Sequence, residues 1–226
     1  MQEIIRACQS GEVPMNFACV ISSSPTAGGI EKARKLGIPN GDIVVIDPNN
    51  FRGTDGKVDQ YGFGQKILET LKAKGVTIVS QNGWLPLTPN NVIDAYKESI
   101  YNQHPGPKRE TRATYGIQPH AIMLYLTRHT GRNNGTEVII HRVNSNWDDG
   151  ATVGIAHVEI HLPHDYPKRL QERALLVEHG LQIEHLQRVA KGEEKEIESI
   201  YQYTRPGEEN ILKAARQYAR KKYPKG

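Results

Sequence analysis

Short apolar runs alternate along this chain with segments whose apolar residues fall at helical spacing, and that alternation constrains the fold more than any other property of the sequence. Residues 1–10 place Met1, Ile4, Ile5 and Cys8 on one helical face and are stopped by Gly11. Residues 16–21 and 42–47 are apolar runs on either side of a helical segment, 29–36, which Gly37 closes. Residues 63–74 then put Phe63, Ile67, Leu68 and Leu71 on one face, and 76–80 form a third apolar run. Strands and helices of this size in alternation predict βαβ units, hence an α/β protein with a mostly parallel, Rossmann-like sheet flanked by helices. Ligands are expected beyond the carboxyl ends of the strands.

The next strand carries the chemistry. Residues 100–107 read Ile-Tyr-Asn-Gln-His-Pro-Gly-Pro. In an extended segment Asn102 and His104 project to one face; Pro105 then ends the ladder, and Gly106 permits a close backbone approach. An amide can donate to a developing oxyanion and an imidazole titrates near working pH, so the pair suits acyl transfer. The same prolines and glycine also suffice for a plain turn.

Residues 136–143 and 152–160 read as strands, and the loop between them can return Asp148 toward His104. Asp149 is its rival for that role, and a turn-forming aspartate is the plainer reading of either. Residues 81–89, Gln-Asn-Gly-Trp-Leu-Pro-Leu-Thr-Pro, stand where a parallel-sheet enzyme keeps a binding loop, or else tuck apolar groups into the core. Residues 108–115 form a polar, basic loop, and 116–130 are mainly helical. Residues 166–189 form a long helix opened by Pro167, with Leu170, Ala174, Val177 and Leu181 on the buried face and Glu178 one residue beyond it, facing either a substrate or solvent. Residues 208–222, with a basic run at 216–222, read as a solvated surface helix, which implies no nucleic-acid partner.

Composition narrows the classes further. At 226 residues the chain supports one substantial core, and its net charge of +4 accommodates an anionic substrate without demanding one. Cys8 and Cys19 make no disulfide framework, which points to a reducing cytoplasm. No apolar run approaches the ~18 residues of a membrane span. His157, His161 and His164 have no cysteine or carboxylate at ligand spacing, so no metal is expected.

Four blocks carry a resemblance. Asn102-Gln-His104-Pro105-Gly106 resembles the Asn-x-His-Pro signature of the 10-formyltetrahydrofolate-dependent formyltransferases, and residues 83–89 resemble that family's glycine-apolar segment. Asp148-Asp-Gly150 is similar to its Asp-x-Gly, and Glu178-His179 to its Glu-His helix. The similarity runs from residue 1 to roughly 192, leaving 193–226 as a C-terminal extension, and it is strongest to the branch that formylates phosphoribosylglycinamide (GAR) in purine biosynthesis.

The resemblance implies 10-formyltetrahydrofolate as co-substrate, no metal, and small-molecule partners, namely the folate and a phosphorylated amine. It implies Asn102, His104 and Asp148 as catalytic residues; Gly83, Trp84, Leu85, Leu87, Asn146 and Trp147 on the folate; and Glu178 on the acceptor. Protonated His104 and the Asn102 amide would stabilise the oxyanion, while Asp148 would hold His104 and take the amine's proton. A sugar-nucleotide amine, methionyl-tRNA or water remain rival acceptors, and a folate-holding fragment without turnover is the rival outside catalysis.

Two departures qualify what is implied. The family opens with a strand and a Gly/Ser-rich phosphate loop, whereas Met1 here falls in the second turn of the first helix, so that strand and loop are expected to be missing, by truncation or in a natural short form. Leu175 stands where the family has a polar residue. Exposed neighbours of a missing central strand imply a weaker hold on the acceptor's phosphate and either self-association, as a homodimer, or a loosened amino-terminal half.

Overall fold

The computed structural model describes residues 1–226, which divide into two compact units. The first comprises Met1–Asn102, Arg142–Asn146 and Leu186–Gly192; the second comprises Gln103–His141, Trp147–His185 and Glu193–Gly226.

In the first unit, helix α1 (Gln2–Ser10) ends at Gly11, whose φ of 78° is a conformation that glycine adopts without Cβ strain. Strand β1 (Val20–Ser22) pairs in parallel with β2 (Ile43–Val45), and helix α2 (Gly28–Lys35) makes the crossover. Ile5, Val20 and Ala33 form a buried cluster with Met1, Phe17 and Leu36 against it. Helix α3 (Gln60–Ala73) is capped by Asp59, whose carboxylate accepts the Gly62 N–H at 3.0 Å. Its apolar face buries Phe63, Ile67, Leu68 and Leu71 among Ile46, Val92, Tyr96 and Ile100. Helix α4 (Asn90–Ala95) separates β3 (Val79–Gln81) from β4 (Ile100–His104), and these strands run parallel with Gln81 opposite Asn102. The strands β1, β2 and β3 are each shorter than the apolar runs that predict them. Phe17, Ile46 and Val76 bury side chains outside the ladders, because an apolar run reports burial rather than backbone pairing.

The second unit contains a short helix α5 (Lys108–Thr111), helix α6 (Gln118–Thr130), strands β5 (Thr136–Arg142) and β6 (Thr152–Val158), the long helix α7 (Pro167–Lys191) up to His185, and helix α8 (Glu209–Lys222). β5 and β6 are antiparallel with Ile139 opposite Ile155. Within the units β1 pairs with β2 and β3 with β4 in parallel, and β5 with β6 antiparallel, so the predicted parallel ladder is realised as parallel pairs and an antiparallel pair. A Cβ on Gly154 would lie 3.3 Å from Ile140 and 3.4 Å from Leu181, so this glycine lets α7 lie close to the sheet. Glu137 and Ile139 border a cavity of about 620 Å³, whose other walls include Glu110, Tyr201 and Tyr203.

The stretch read as a basic loop is corrected. α5 buries Glu110 and Thr111, and it is held from the far end of the sequence: the Thr204 hydroxyl donates to Glu110 at 2.6 Å, and Arg216 of α8 donates to the carbonyls of Arg109 and Glu110 at 2.7 and 2.9 Å. α8 itself buries Ala215 and Ala219 and turns its basic last turn, Arg220 to Lys222, outward. No helix is long and apolar enough to cross a membrane.

Candidate active site

β4 delivers the nominated groups by strand alternation. Asn102 is half-buried and in register with Gln81, and His104 closes the strand at 3% exposure. Gln103, between them, projects to the opposite face, where its amide donates to the Glu178 carboxylate of α7.

His104 is enclosed by four groups. Its Nδ1 lies 3.4 Å from Asp148 Oδ2, and its Nε2 lies 2.8 Å from the Thr111 hydroxyl. His141, at the end of β5 where the ladder register shifts, brings Nε2 to 3.4 Å from Asp148 Oδ1. His120 of α6, 1% exposed, is near enough to feel the charge of His104. Burial pushes the His104 imidazole down to about 4; the Asp148 charge opposes this and His141 reinforces it. Burial also pushes His120 down to about 4, with His104 adding to the effect. Loss of hydration thus disfavours the charged form of this ring by more than one nearby carboxylate favours it.

Asp148 responds in the other direction. Burial alone would raise its carboxyl, but the hydrogen bond from His141, the charge of His104 and the Ala113 N–H at 3.0 Å outweigh that and hold it at about 2. A carboxylate held so low stays ionised at neutral pH, and its geometry suits orienting His104 and balancing any charge the ring acquires.

Asp148 (φ 48°) and Ala113 (φ 59°) both adopt the left-handed conformation that costs a side chain about 1 kcal/mol or more, and they are bonded to each other. The two loops are stapled twice more, by Arg112 to Asp149 at 2.8 Å and by Lys108 Nζ to the Gly150 carbonyl at 2.8 Å. The adjacent aspartates are thus separated by environment: Asp148 is buried against imidazoles, and Asp149 pairs with an arginine at the surface.

Glu178 is 8% exposed, and burial raises its carboxyl to about 7. Gly83 has φ 68°, and Trp84 stacks on Phe63 (6.2 Å between centroids, 3° between planes) against the α3 core, its indole N–H buried without an acceptor. Leu85, Leu87, Asn146 and Trp147 lie at the surface, Leu85 being 60% and Trp147 47% exposed. None of the nominated residues lines the 620 Å³ cavity of the second unit. His141, His120 and Thr111 went unnominated: His141 is an imidazole near the end of an apolar strand that leads into the loop of the nominated aspartate, which was a usable signal, whereas Thr111 reaches His104 only because the chain doubles back at Pro105–Pro107.

The chain resembles known proteins in sequence and in fold. The family model described as formyl transferase matches residues 1–186. The chain is 28% identical over 186 residues to the chloroplastic phosphoribosylglycinamide formyltransferase of Arabidopsis thaliana, covering 81% of this chain and 59% of that protein. It is 29% identical over 175 residues to the phosphoribosylglycinamide formyltransferase of Haemophilus influenzae, covering 76% of this chain and 73% of that one. The crystal structure of glycinamide ribonucleotide transformylase 1 from Symbiobacterium toebii superposes with a TM-score of 0.70 at 26% identity, over 84% of this chain and 82% of that one. The chain therefore spans less than two thirds of the Arabidopsis relative but most of the two bacterial ones. With four fifths of its length under a single family model and a buried imidazole–carboxylate pair following its Asn-x-His-Pro strand, the chain belongs to the formyl transferase family.

Proposed function

We propose that the protein transfers the formyl group of 10-formyltetrahydrofolate to the amine of phosphoribosylglycinamide. The observation that carries this reading is the buried His104–Asp148 pair at 3.4 Å on the strand that presents Asn102. The amine attacks the formyl carbon, the bond to the folate nitrogen breaks, and one proton passes from the amine to the departing nitrogen. The Asn102 amide donates to the oxyanion, His104 stabilises it by charge once the ring carries a proton, and Asp148 holds His104 and takes the amine's proton on its way to the leaving nitrogen. Glu178, protonated or charged according to pH near 7, holds the acceptor by hydrogen bonding. Gly83, Trp84, Leu85, Leu87, Asn146 and Trp147 bind the folate, its flat ring resting on the apolar groups.

In this reading residues 1–192 supply the formyltransferase domain and 193–226 extend it, and the protein works in the cytoplasm on small molecules without metal or nucleic acid. The test is formyl transfer by the purified chain, with GAR, methionyl-tRNA, a sugar-nucleotide amine and water compared as acceptors. GAR should be preferred, and His104→Ala and Asn102→Ala should each lower kcat by about 10²–10³-fold with folate affinity nearly unchanged. Turnover on water alone would make the protein a deformylase, and binding without turnover would end the catalytic reading.

A further inference from the structure

The hydroxyl of Thr111 is wedged between two acceptors and has one proton to give. Its Oγ1 lies 2.8 Å from His104 Nε2 and 2.8 Å from the Pro107 carbonyl, and the residue is fully buried. The same carbonyl already receives the Thr111 backbone N–H at 3.0 Å, so it does not depend on the hydroxyl. Two complete hydrogen-bonding patterns follow. In one, the hydroxyl donates to Nε2, and the neutral ring keeps its proton on Nδ1, facing Asp148. In the other, the hydroxyl turns to the Pro107 carbonyl and accepts from a protonated Nε2, so that the ring is an imidazolium with both nitrogens satisfied. Most buried partners satisfy one charge state of a histidine and orphan the other; this one serves both by a rotation of one hydrogen.

The glycine of the strand's terminal turn makes room for it. A Cβ on Gly106 would lie 2.6 Å from Thr111 Oγ1 and 2.9 Å from its methyl group. Gly106 therefore does more than end a strand, since a side chain there would push the hydroxyl off the ring.

We propose that Thr111 is a positioning residue for His104: its hydroxyl fixes the Nδ1–H tautomer against Asp148 at rest and turns to the Pro107 carbonyl when the ring gains a proton. The charged and titratable groups facing the ring are Asp148 from the β5–β6 loop, His141 from β5 and His120 from α6, and none of them contacts Nε2. The consequence for catalysis rests on the formyl-transfer reading, but the tautomer does not.

The experiment compares the wild-type chain with Thr111→Val, Thr111→Ser and Gly106→Ala. Nitrogen-15 NMR of histidine-labelled protein should show His104 as the Nδ1–H tautomer at neutral pH in the wild type and Thr111→Ser, and a tautomer mixture in Thr111→Val and Gly106→Ala. Loss of the hydroxyl penalises the charged ring more than the neutral one, so the titration of His104 in Thr111→Val should move further toward acid. In formyl transfer, Thr111→Val should lower kcat by about 10- to 100-fold with KM within about twofold, and serine should restore most of the loss. A wild-type tautomer and titration in Thr111→Val would overturn the proposal, and so would a serine variant as impaired as the valine one, since that would leave only methyl packing. If the wild type transfers no formyl group at all, the formyl-transfer reading fails, and the NMR result still decides the role of Thr111.

Discussion

At the residue scale, two neighbouring carboxylates have opposite fates, and that difference is measurable. Asp148 is buried against His104 and His141, while Asp149 meets Arg112 at the surface, where ion pairs contribute little. Asp148→Asn should therefore lower formyl transfer by about 10²–10³-fold, with Asp149→Asn staying within about threefold in the same assay. The reverse order would place the working carboxylate at 149. Glu178 gives a second prediction, with a sign fixed by its raised carboxyl at about 7. Stability from the protonated group is fully present below its ordinary 4.5 and is lost as pH rises through 7. Glu178→Gln removes the buried charge, so it should raise the unfolding free energy by roughly 1–3 kcal/mol at pH 8 and hardly at all at pH 4.5, as read by denaturant titration at both values. The same variant should raise KM for the acceptor, a trade of binding for stability.

At the element scale, the decisive piece is the single turn of α5, which carries Thr111 and is pinned from α8 by Arg216. Arg216→Ala should speed hydrogen exchange across residues 108–113 and slow formyl transfer several-fold, with exchange in α3 unchanged; slow exchange at 108–113 in the variant would show that Glu110 and Thr204 hold α5 without it. This is also where reading the sequence ran out. Helices such as α3 and α7 were legible because each presents one apolar face at helical spacing, and the Asn102/His104 pair was legible because a strand shows alternate residues to one side. The polarity of Lys-Arg-Glu-Thr at 108–111 said nothing of burial, because what buries it is supplied a hundred residues downstream by Thr204 and Arg216. For Trp84 the sequence left two fates open, a binding loop or the core, and only the fold places it against Phe63 with Leu85 and Leu87 as the exposed apolar groups of that loop. The protonation state of His104 was equally illegible, since it depends on how completely water is excluded around a ring and no local pattern encodes that.

At the scale of the whole molecule, residues 193–226 supply donors to buried carboxyls within the second unit. Ser199 and Tyr203 donate to Glu137 at 2.8 and 3.2 Å, Thr204 donates to Glu110, and Arg132 is held by Glu208. Each unpaired buried group costs about 1–3 kcal/mol against a total stability of about 5–15, so a chain stopped after residue 192 should lose its cooperative thermal transition, monitored by circular dichroism. An unchanged melting temperature would show the extension to be dispensable. Burial lowers two histidines, His104 and His120, and raises three glutamates, Glu110, Glu137 and Glu178. Between pH 4.5 and 6.5 unfolding lets the histidines bind protons and the glutamates release them, so the slope of stability with pH should not exceed about 1.4 kcal/mol per unit in either direction. Below about 4 the carboxylates held low, Asp148, Asp165 and Glu208, bind protons on unfolding and stability should fall steeply, as urea titrations across pH would show. Because the two histidines and the three glutamates act in opposite directions, their contributions partly cancel across the mildly acidic range, so this core tolerates a change in the acidity of its compartment better than any one of these groups would alone.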